Sequence, residues 1–145
     1  MDRDTVRRCV EQYVAMYRDG RAELAHELIA PEFVDHVHPD GPRGPEGVAA
    51  EVARAHSIFA DISVALLDCI IEGDRVAFRM LIEGTHVGEW GGLAPSHRRV
   101  RFTAIDVAHL RDGKFVELWS EQDLTSLARQ IRGTEPHLAK TPDPT

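Results

Sequence analysis

An alternation of apolar and polar residues in the last third of the chain constrains the fold most strongly. Val100 to Leu110 and Phe115 to Ser120 both alternate with a period of two, which is the pattern of half-buried β-strands. The residues between them, Arg111-Asp112-Gly113-Lys114, contain an Asp-Gly pair that is typical of tight turns. The sequence therefore predicts an antiparallel hairpin.

Ionisable residues interrupt the otherwise apolar surface of this region. They are His86, Asp106, His109, Glu117, Glu121 and Asp123. A buried carboxylate or imidazole costs free energy unless it has a partner or a function. The pattern therefore indicates a pocket in which protons are moved.

The first 60 residues are predicted to be mostly helical. Apolar residues three and four apart predict a helix from Asp4 to Tyr17, with Asp4 as its cap and Gly20 as its end. A second helix is expected from Arg21 to Ile29, ended by Pro31. A third is expected from Pro45 to Phe59, because proline suits the first turn of a helix.

Two further strands and a last helix complete the prediction. The strands are Ile62 to Ile71 and Val76 to Thr85, and the helix is Leu124 to Ile131. Three helices, a meander of strands and a helix form an α+β layout, in which helices cover one face of a curved antiparallel sheet. If the sheet bends strongly, it encloses a cone with an open mouth, where a small molecule would bind.

Length and charge limit the organisation and the partners. The 145 residues suit one domain, which we place at 1–133, with a frayed tail at 134–145. The net charge of -7 and the scattered basic residues argue against nucleic acid as a partner. No apolar run approaches the ~18 residues of a membrane span, and the charged N-terminus is unlike a signal peptide. We expect a cytoplasmic protein that has no membrane partner.

The register of the hairpin decides which ionisable groups meet. A two-residue turn would point His109 away from Asp123, whereas a three-residue turn would align His109, Trp119 and Asp123 on one face. Asp-Gly permits either turn. We favour the three-residue turn, because it gathers these groups into one pocket.

Asp123 and His109 are the predicted catalytic residues. A carboxyl group in an apolar pocket can take and return a proton, and Asp123 is our candidate for it. Asp123 is equally expected to cap the last helix, and one residue can do both. His109 would orient or protonate a substrate oxygen, although it can also be an exposed residue at the end of the hairpin.

Seven further residues are predicted to bind the substrate. They are Asp35, His36, His86, Trp119, Tyr17, Phe59 and Trp90. Trp119 would form a wall of the pocket and Trp90 a lid or an interface. His36 and His38 lie two residues apart and could bind a metal with His86 or His109. Our prediction is that no metal is bound.

These residues resemble the SnoaL-like polyketide cyclases of the NTF2-like superfamily. The resemblance runs from about Phe33 to Ile131. It is carried by Phe33-Val34-Asp35-His36, Gly44-Pro45-Glu46-Gly47, Glu72-Gly73-Asp74-Arg75-Val76-Ala77, Gly84-Thr85-His86-Val87-Gly88-Glu89, Asp112-Gly113-Lys114-Phe115-Val116-Glu117-Leu118-Trp119 and Asp123. The ordered set is specific for the family but not for a reaction.

The resemblance implies a cofactor-independent NTF2-like cone and a homodimer formed across the outer face of the sheet. It also implies ring closure by intramolecular aldol chemistry, with the acid/base role on Asp123 and a nearby histidine role on His109. Asp35 and His36 match a polar position that is often asparagine in the aldol cyclases. Because of this difference, other kinds of ring closure remain alternatives.

The sequence therefore predicts an enzyme that closes a ring in a polyketide-derived intermediate of antibiotic or other natural-product biosynthesis. One alternative is a pericyclic or conjugate-addition cyclase that mainly folds its substrate. Another is a non-catalytic module that binds a small molecule, because a fold does not determine a function.

Overall fold

A computed structural model describes residues 1–134 of the chain. Within these residues, the helices are α1 (Arg3–Asp19), α2 (Ala25–Leu28), α3 (Gly44–Ile58) and α4 (Leu124–Arg132), and a 3-10 turn precedes α2. The strands are β1 (Ile29–Asp35), β2 (Phe59–Glu72), β3 (Arg75–His86), β4 (Arg99–Arg111) and β5 (Lys114–Gln122). The α+β prediction is confirmed. The predicted tail lies outside the described residues except for Thr134.

The strands form one curved sheet in the order β1-β5-β4-β3-β2. All neighbouring pairs are antiparallel except β1 and β5, which are parallel, so the sheet is mixed. Register shifts in β2, between Ala60 and Ser63 and between Leu66 and Asp68, are irregularities of the kind that bends a strand. The helices cover the concave face, and the main hydrophobic core lies between α1, α3 and the sheet.

Helix α1 forms where the apolar spacing predicted it, but its cap differs. The Asp2 carboxylate accepts a hydrogen bond from the Thr5 N–H at 2.7 Å, so Asp2 caps the helix and Asp4 lies in its first turn. Gly20 ends the helix in the left-handed conformation, with φ of 68°, which glycine adopts without steric cost.

The predicted second helix is shorter than expected. Helix α2 ends at Leu28, and Pro31 lies inside β1 instead of ending a helix. Strand β1 is at the edge of the sheet, where a residue without an N–H is tolerated because one side of the strand has no partner.

The β4–β5 hairpin corrects the predicted turn. Arg111 pairs with Lys114, and Asp112 and Gly113 both have positive φ, 52° and 81°, as a two-residue turn of type I′ requires. The three-residue prediction was therefore wrong. The register then shifts, because Leu110 pairs with Phe115 but His109 pairs with Glu117.

The register shift between His109 and Leu110 is a β-bulge. It brings odd-numbered residues of β4 and β5 opposite each other, as predicted, but on the other face of the sheet. Beyond the bulge, Val107 pairs with Trp119. Ile105, Val107 and Trp119 are 47%, 39% and 37% exposed, so this row lies on the outer face of the sheet. The concave face instead carries the even-numbered residues of β4, among them Ala104 and Asp106.

None of the helices within residues 1–134 is both long enough and apolar enough to span a membrane.

Candidate active site

The sheet and its helical cover enclose a cavity of about 190 Å³. Most of its wall is apolar, and its apolar lining includes Val14, Phe33, Val48, Ile58, Phe59, Ile62, Val64, Met80, Ile82, Trp90, Phe102, Ala104, Leu118 and Leu127. A concave, apolar chamber with a few polar groups is the usual form of a small-molecule site. The polar lining residues are Tyr13, Tyr17, Asp35, His38, Glu51, Arg54, Asp106, Ser120 and Gln122.

Asp106 is the most deeply buried carboxyl group of this lining, with 4% of its surface exposed. Burial raises its pKa to about 6, the Ser120 hydroxyl acts in the lowering direction, and the charge of Asp35 raises it further. Among residues 1–134 its Oδ1 atom has no hydrogen-bond partner. A carboxyl group with this pKa exchanges its proton readily near neutral pH.

Two tyrosines of α1 line the cavity. The rings of Tyr13 and Tyr17 lie 5.2 Å apart, and burial raises the pKa of both hydroxyl groups well above the usual value. Both phenols therefore stay neutral and can donate hydrogen bonds. They are suited to holding substrate oxygen atoms.

A chain of ionisable groups lines the more exposed part of the wall. His38 Nδ1 lies 3.0 Å from Asp35 Oδ2, and His38 Nε2 lies 3.2 Å from Glu51 Oε2. Arg54 is 3.6 Å from the same Glu51 oxygen. These contacts join the loop after β1 to helix α3. Asp106 is therefore the carboxyl group of the chamber that is both buried and outside this chain of contacts.

The structure does not bring the predicted catalytic pair into this cavity. Asp123 is exposed, and its Oδ1 accepts a hydrogen bond from the Ser126 N–H at 3.1 Å. Its predicted role as a helix cap is therefore confirmed, because the carboxylate is bonded to the first turn of α4. Its neighbours Gln122 and Leu124 line the cavity, but Asp123 does not. His109 shares the outer face with Val107, and its Nε2 lies 2.9 Å from Asp74 Oδ2.

Four of the seven predicted binding residues line the cavity, and they are Asp35, Tyr17, Phe59 and Trp90. His36 and Trp119 lie on the outer face, where their rings stack at 4.5 Å. The expectation that Trp119 forms a pocket wall was wrong, because the bulge and the sheet curvature point it outward. His36 Nε2 also lies 2.9 Å from Glu117 Oε2.

His86 is fully buried at the end of β3 but is not part of the cavity wall. Its Nδ1 accepts a hydrogen bond from the Ser96 N–H at 3.0 Å, and its ring packs near Phe59. It therefore supports the wall from behind and does not face the cavity.

The proposed metal alternative requires histidines that converge. His36 contacts Trp119 and Glu117, whereas His38 contacts Asp35 and Glu51 at the cavity. In the described part of the chain, no group of three or more His, Cys, Asp or Glu residues is arranged to hold a metal ion.

Asp106 was among the ionisable residues of the sequence, but no role was predicted for it. One signal could have identified it: Asp106 stands between Ala104 and Ala108 on the even-numbered face of β4. Small residues on both sides are compatible with a crowded concave face. Ser120, its partner on β5, was also missed, because the sequence does not show which face of the sheet is concave.

A curved sheet covered by helices, with a mostly apolar chamber and a buried carboxyl group, is typical of small α+β proteins that bind or transform small molecules. The family model of the SnoaL-like polyketide cyclases matches residues 7–131. The chain therefore belongs to the SnoaL-like polyketide cyclase family.

Individual relatives agree with this assignment. The aklanonic acid methyl ester cyclase AcmA of Streptomyces galilaeus is 34% identical over 126 residues, which cover 84% of this chain and 87% of that protein. The structure of TsrD from Streptomyces laurentii matches with a TM-score of 0.86 and 34% identity, covering 93% of this chain and 99% of that chain. Wild-type IdmH from Streptomyces antibioticus matches with a TM-score of 0.76 and 28% identity, covering 88% and 98%.

Proposed function

We propose that this protein closes a ring in a polyketide-derived intermediate of natural-product biosynthesis by acid/base catalysis, without a cofactor. The observation that carries the proposal is the burial of Asp106 in an apolar cavity, with a pKa raised to about 6. The relatives named aklanonic acid methyl ester cyclases support the polyketide class of substrate. Asp106 takes the role that the sequence assigned to Asp123.

The reaction is an intramolecular aldol addition. The Asp106 carboxylate removes a proton from a carbon that lies between two carbonyl groups, and the resulting carbanion attacks a third carbonyl carbon of the same molecule. One carbon–carbon bond forms, and the attacked carbonyl oxygen becomes an alkoxide. Asp106 returns its proton to that oxygen, so no oxidant, reductant or cofactor is consumed.

The cavity wall assists both steps. Apolar residues such as Phe102 and Phe59 exclude water and hold the flexible chain in a folded shape, which lowers the entropic part of the barrier. The neutral hydroxyls of Tyr13 and Tyr17 can donate hydrogen bonds to the enolate oxygen as charge develops on it. Their raised pKa values keep them protonated throughout.

A second candidate is a pericyclic or conjugate-addition cyclase that relies mainly on substrate folding. The large apolar share of the wall favours it. In this case Phe102→Ala, which enlarges the chamber, would reduce the rate more than Asp106→Asn does.

The experiment compares isosteric amide variants, with aklanonic acid methyl ester as the first substrate tested. Ring closure is followed by chromatography, and proton removal by deuterium uptake at the acidic carbon. Asp106→Asn should lower both rates about 100-fold or more, which is the usual effect of losing a general base.

Asp123→Asn is the matched control, because asparagine also caps a helix well. It should retain activity within about threefold, as should His109→Ala on the outer face. Full activity in Asp106→Asn, or a large loss in Asp123→Asn and His109→Ala, would contradict the proposal and return the role to the pair predicted from the sequence.

We also propose a homodimer across the outer face of the sheet, as the family resemblance implies. The exposed row of Ile105, Val107 and Trp119 supports this, because an exposed apolar patch commonly marks an interface. The cytoplasmic location remains a prediction.

A further inference from the structure

Three adjacent strands align polar residues on the concave face. Strand β5 lies between β1 and β4. Asp106 of β4 pairs with Ser120 of β5, and Asp35 of β1 pairs with Leu118, two residues before Ser120. Side chains two residues apart on a strand share a face. Asp35, Ser120 and Asp106 therefore form a diagonal row across the cavity floor.

The contacts of Ser120 leave its proton free for Asp106. The Ser120 hydroxyl oxygen accepts a hydrogen bond from Gln122 Nε2 at 3.3 Å. A hydroxyl that accepts from one neighbour can donate its single proton to another. The carboxyl group across the strand pair is the acceptor that this geometry offers.

The contacts of Asp35 hold its carboxylate firmly in place. Its Oδ1 accepts hydrogen bonds from the Val37 N–H at 2.7 Å and the His38 N–H at 3.3 Å. Its Oδ2 lies 3.0 Å from His38 Nδ1. These contacts fix the position of the Asp35 carboxyl group at the end of the row, and the same cavity contains Asp106.

The other ionisable groups around the cavity are either neutral or paired with groups other than Asp106. Tyr13 and Tyr17 of α1 are neutral. Glu51 and Arg54 of α3 pair with each other, and Glu51 also contacts His38. Within residues 1–134 the remaining walls, from β2, β3 and α4, present apolar side chains to the cavity.

We propose that Ser120 and Asp35 are positioning residues that act on Asp106 in opposite directions. The Ser120 hydroxyl stabilises and orients the carboxylate, whereas the negative charge of Asp35 stabilises the protonated acid. Their balance holds Asp106 between its two forms, as a group that both takes and returns a proton requires. This inference rests on the proposed acid/base function of Asp106.

The test measures the Asp106 carboxyl group directly. Protein labelled with ¹³C at aspartate carboxyl groups is titrated by NMR, and the Asp106 resonance is identified by its absence in Asp106→Asn. Ser120→Ala should raise the pKa of Asp106, and Asp35→Asn should lower it. A shift of half a unit to one unit changes the ratio of ionised to protonated Asp106 about three- to tenfold at a given pH.

Two controls separate these effects from general disturbance. Ser120→Thr retains the hydroxyl and should restore the pKa of the parent protein. Asp123→Asn removes a charge outside the cavity and should leave the pKa of Asp106 unchanged. If Asp35→Asn does not fold, Asp35→Ser removes the same charge and keeps an oxygen acceptor for the Val37 N–H.

The outcomes are distinct from those for the proposed function. Shifts of the same sign in both variants, or no shift in either, overturn the inference whatever the activity is. Opposite shifts of the Asp106 pKa in the two variants, together with full activity in Asp106→Asn, would contradict the proposed function but support the electrostatic relationship. If the proposed function and this inference are both correct, the pH at which kcat/KM falls on the acidic side should shift in each variant in the same direction as the pKa measured by NMR.

Discussion

Asp106 and Ser120 lie directly opposite each other on β4 and β5 and face the cavity, whereas the adjacent pair, Val107 and Trp119, faces outward. One residue along the strands thus separates the candidate active site from the candidate dimer surface. Both faces of this hairpin therefore have consequences that can be measured.

The rate of ring closure should depend on the ionisation of Asp106. Because the carboxylate is the base, kcat/KM should rise with pH and level off above the pKa, which burial raises to about 6. An acidic limb near pH 4, where an ordinary aspartate titrates, would contradict this assignment. The measurement is a pH profile of kcat/KM, and the Asp106→Asn protein should lack the limb.

The stability of the protein should also report on Asp106. Its pKa is 3.8 when unperturbed and about 6 in the folded protein, so the folded state holds the proton more tightly between these values. Stability therefore falls as pH rises from about 4 to 6. The loss is on the order of 3 kcal/mol, since one pKa unit corresponds to about 1.4 kcal/mol.

Asp106→Asn removes this ionisation. We therefore compare the unfolding free energy of the variant minus that of the parent protein at two pH values. This difference should be more positive at pH 8 than at pH 4, by about 3 kcal/mol. Urea denaturation at the two pH values measures it. An equal difference between the two proteins at both pH values would show that Asp106 is not desolvated as the structure indicates.

The outer face should control the oligomeric state. Replacing both Ile105 and Val107 by lysine places charges in the exposed apolar row, and a buried, unpaired charge is costly at an interface. We expect a shift from dimer to monomer in analytical ultracentrifugation. Val87→Lys, a change at an exposed residue after β3, is the control and should leave the dimer intact.

The close approach of α3 to the preceding loop should make Gly47 sensitive to substitution. A Cβ atom at Gly47 would overlap the carbonyl oxygen of Pro42, so the backbone would have to move. Gly47→Ala should cost at least about 2 kcal/mol of unfolding free energy. At Gly41 the nearest atom is 3.6 Å away, so Gly41→Ala should cost much less. Urea denaturation of both variants measures the two losses.

The order and type of most elements were predictable from local patterns. The periods of three to four and of two in apolar residues placed α1, α3, α4 and the strands β2 to β5 within a few residues of their observed bounds. The parallel pairing of β1 with β5 was not predictable, because these strands are distant in the chain and no local signal links them.

The site was predicted less well for a related reason. Alternation shows that Ile105 and Val107 share one face of β4, but it does not show which face is concave. Both faces of β4 carry apolar residues, since the outer row is itself hydrophobic. The position of Asp123 next to a predicted helix was correctly read as a cap, but not as a reason to exclude it from the cavity.

The α+β layout, the hairpin around Asp112 and the family could be predicted from the order of amino acids, because they depend on local periodicity and on ordered motifs. The choice of Asp106 over Asp123 as the residue in the chamber came from the folded structure alone. That choice depends on a single bulge and on the direction in which the sheet bends. Both arise from packing between distant segments, which no local pattern records.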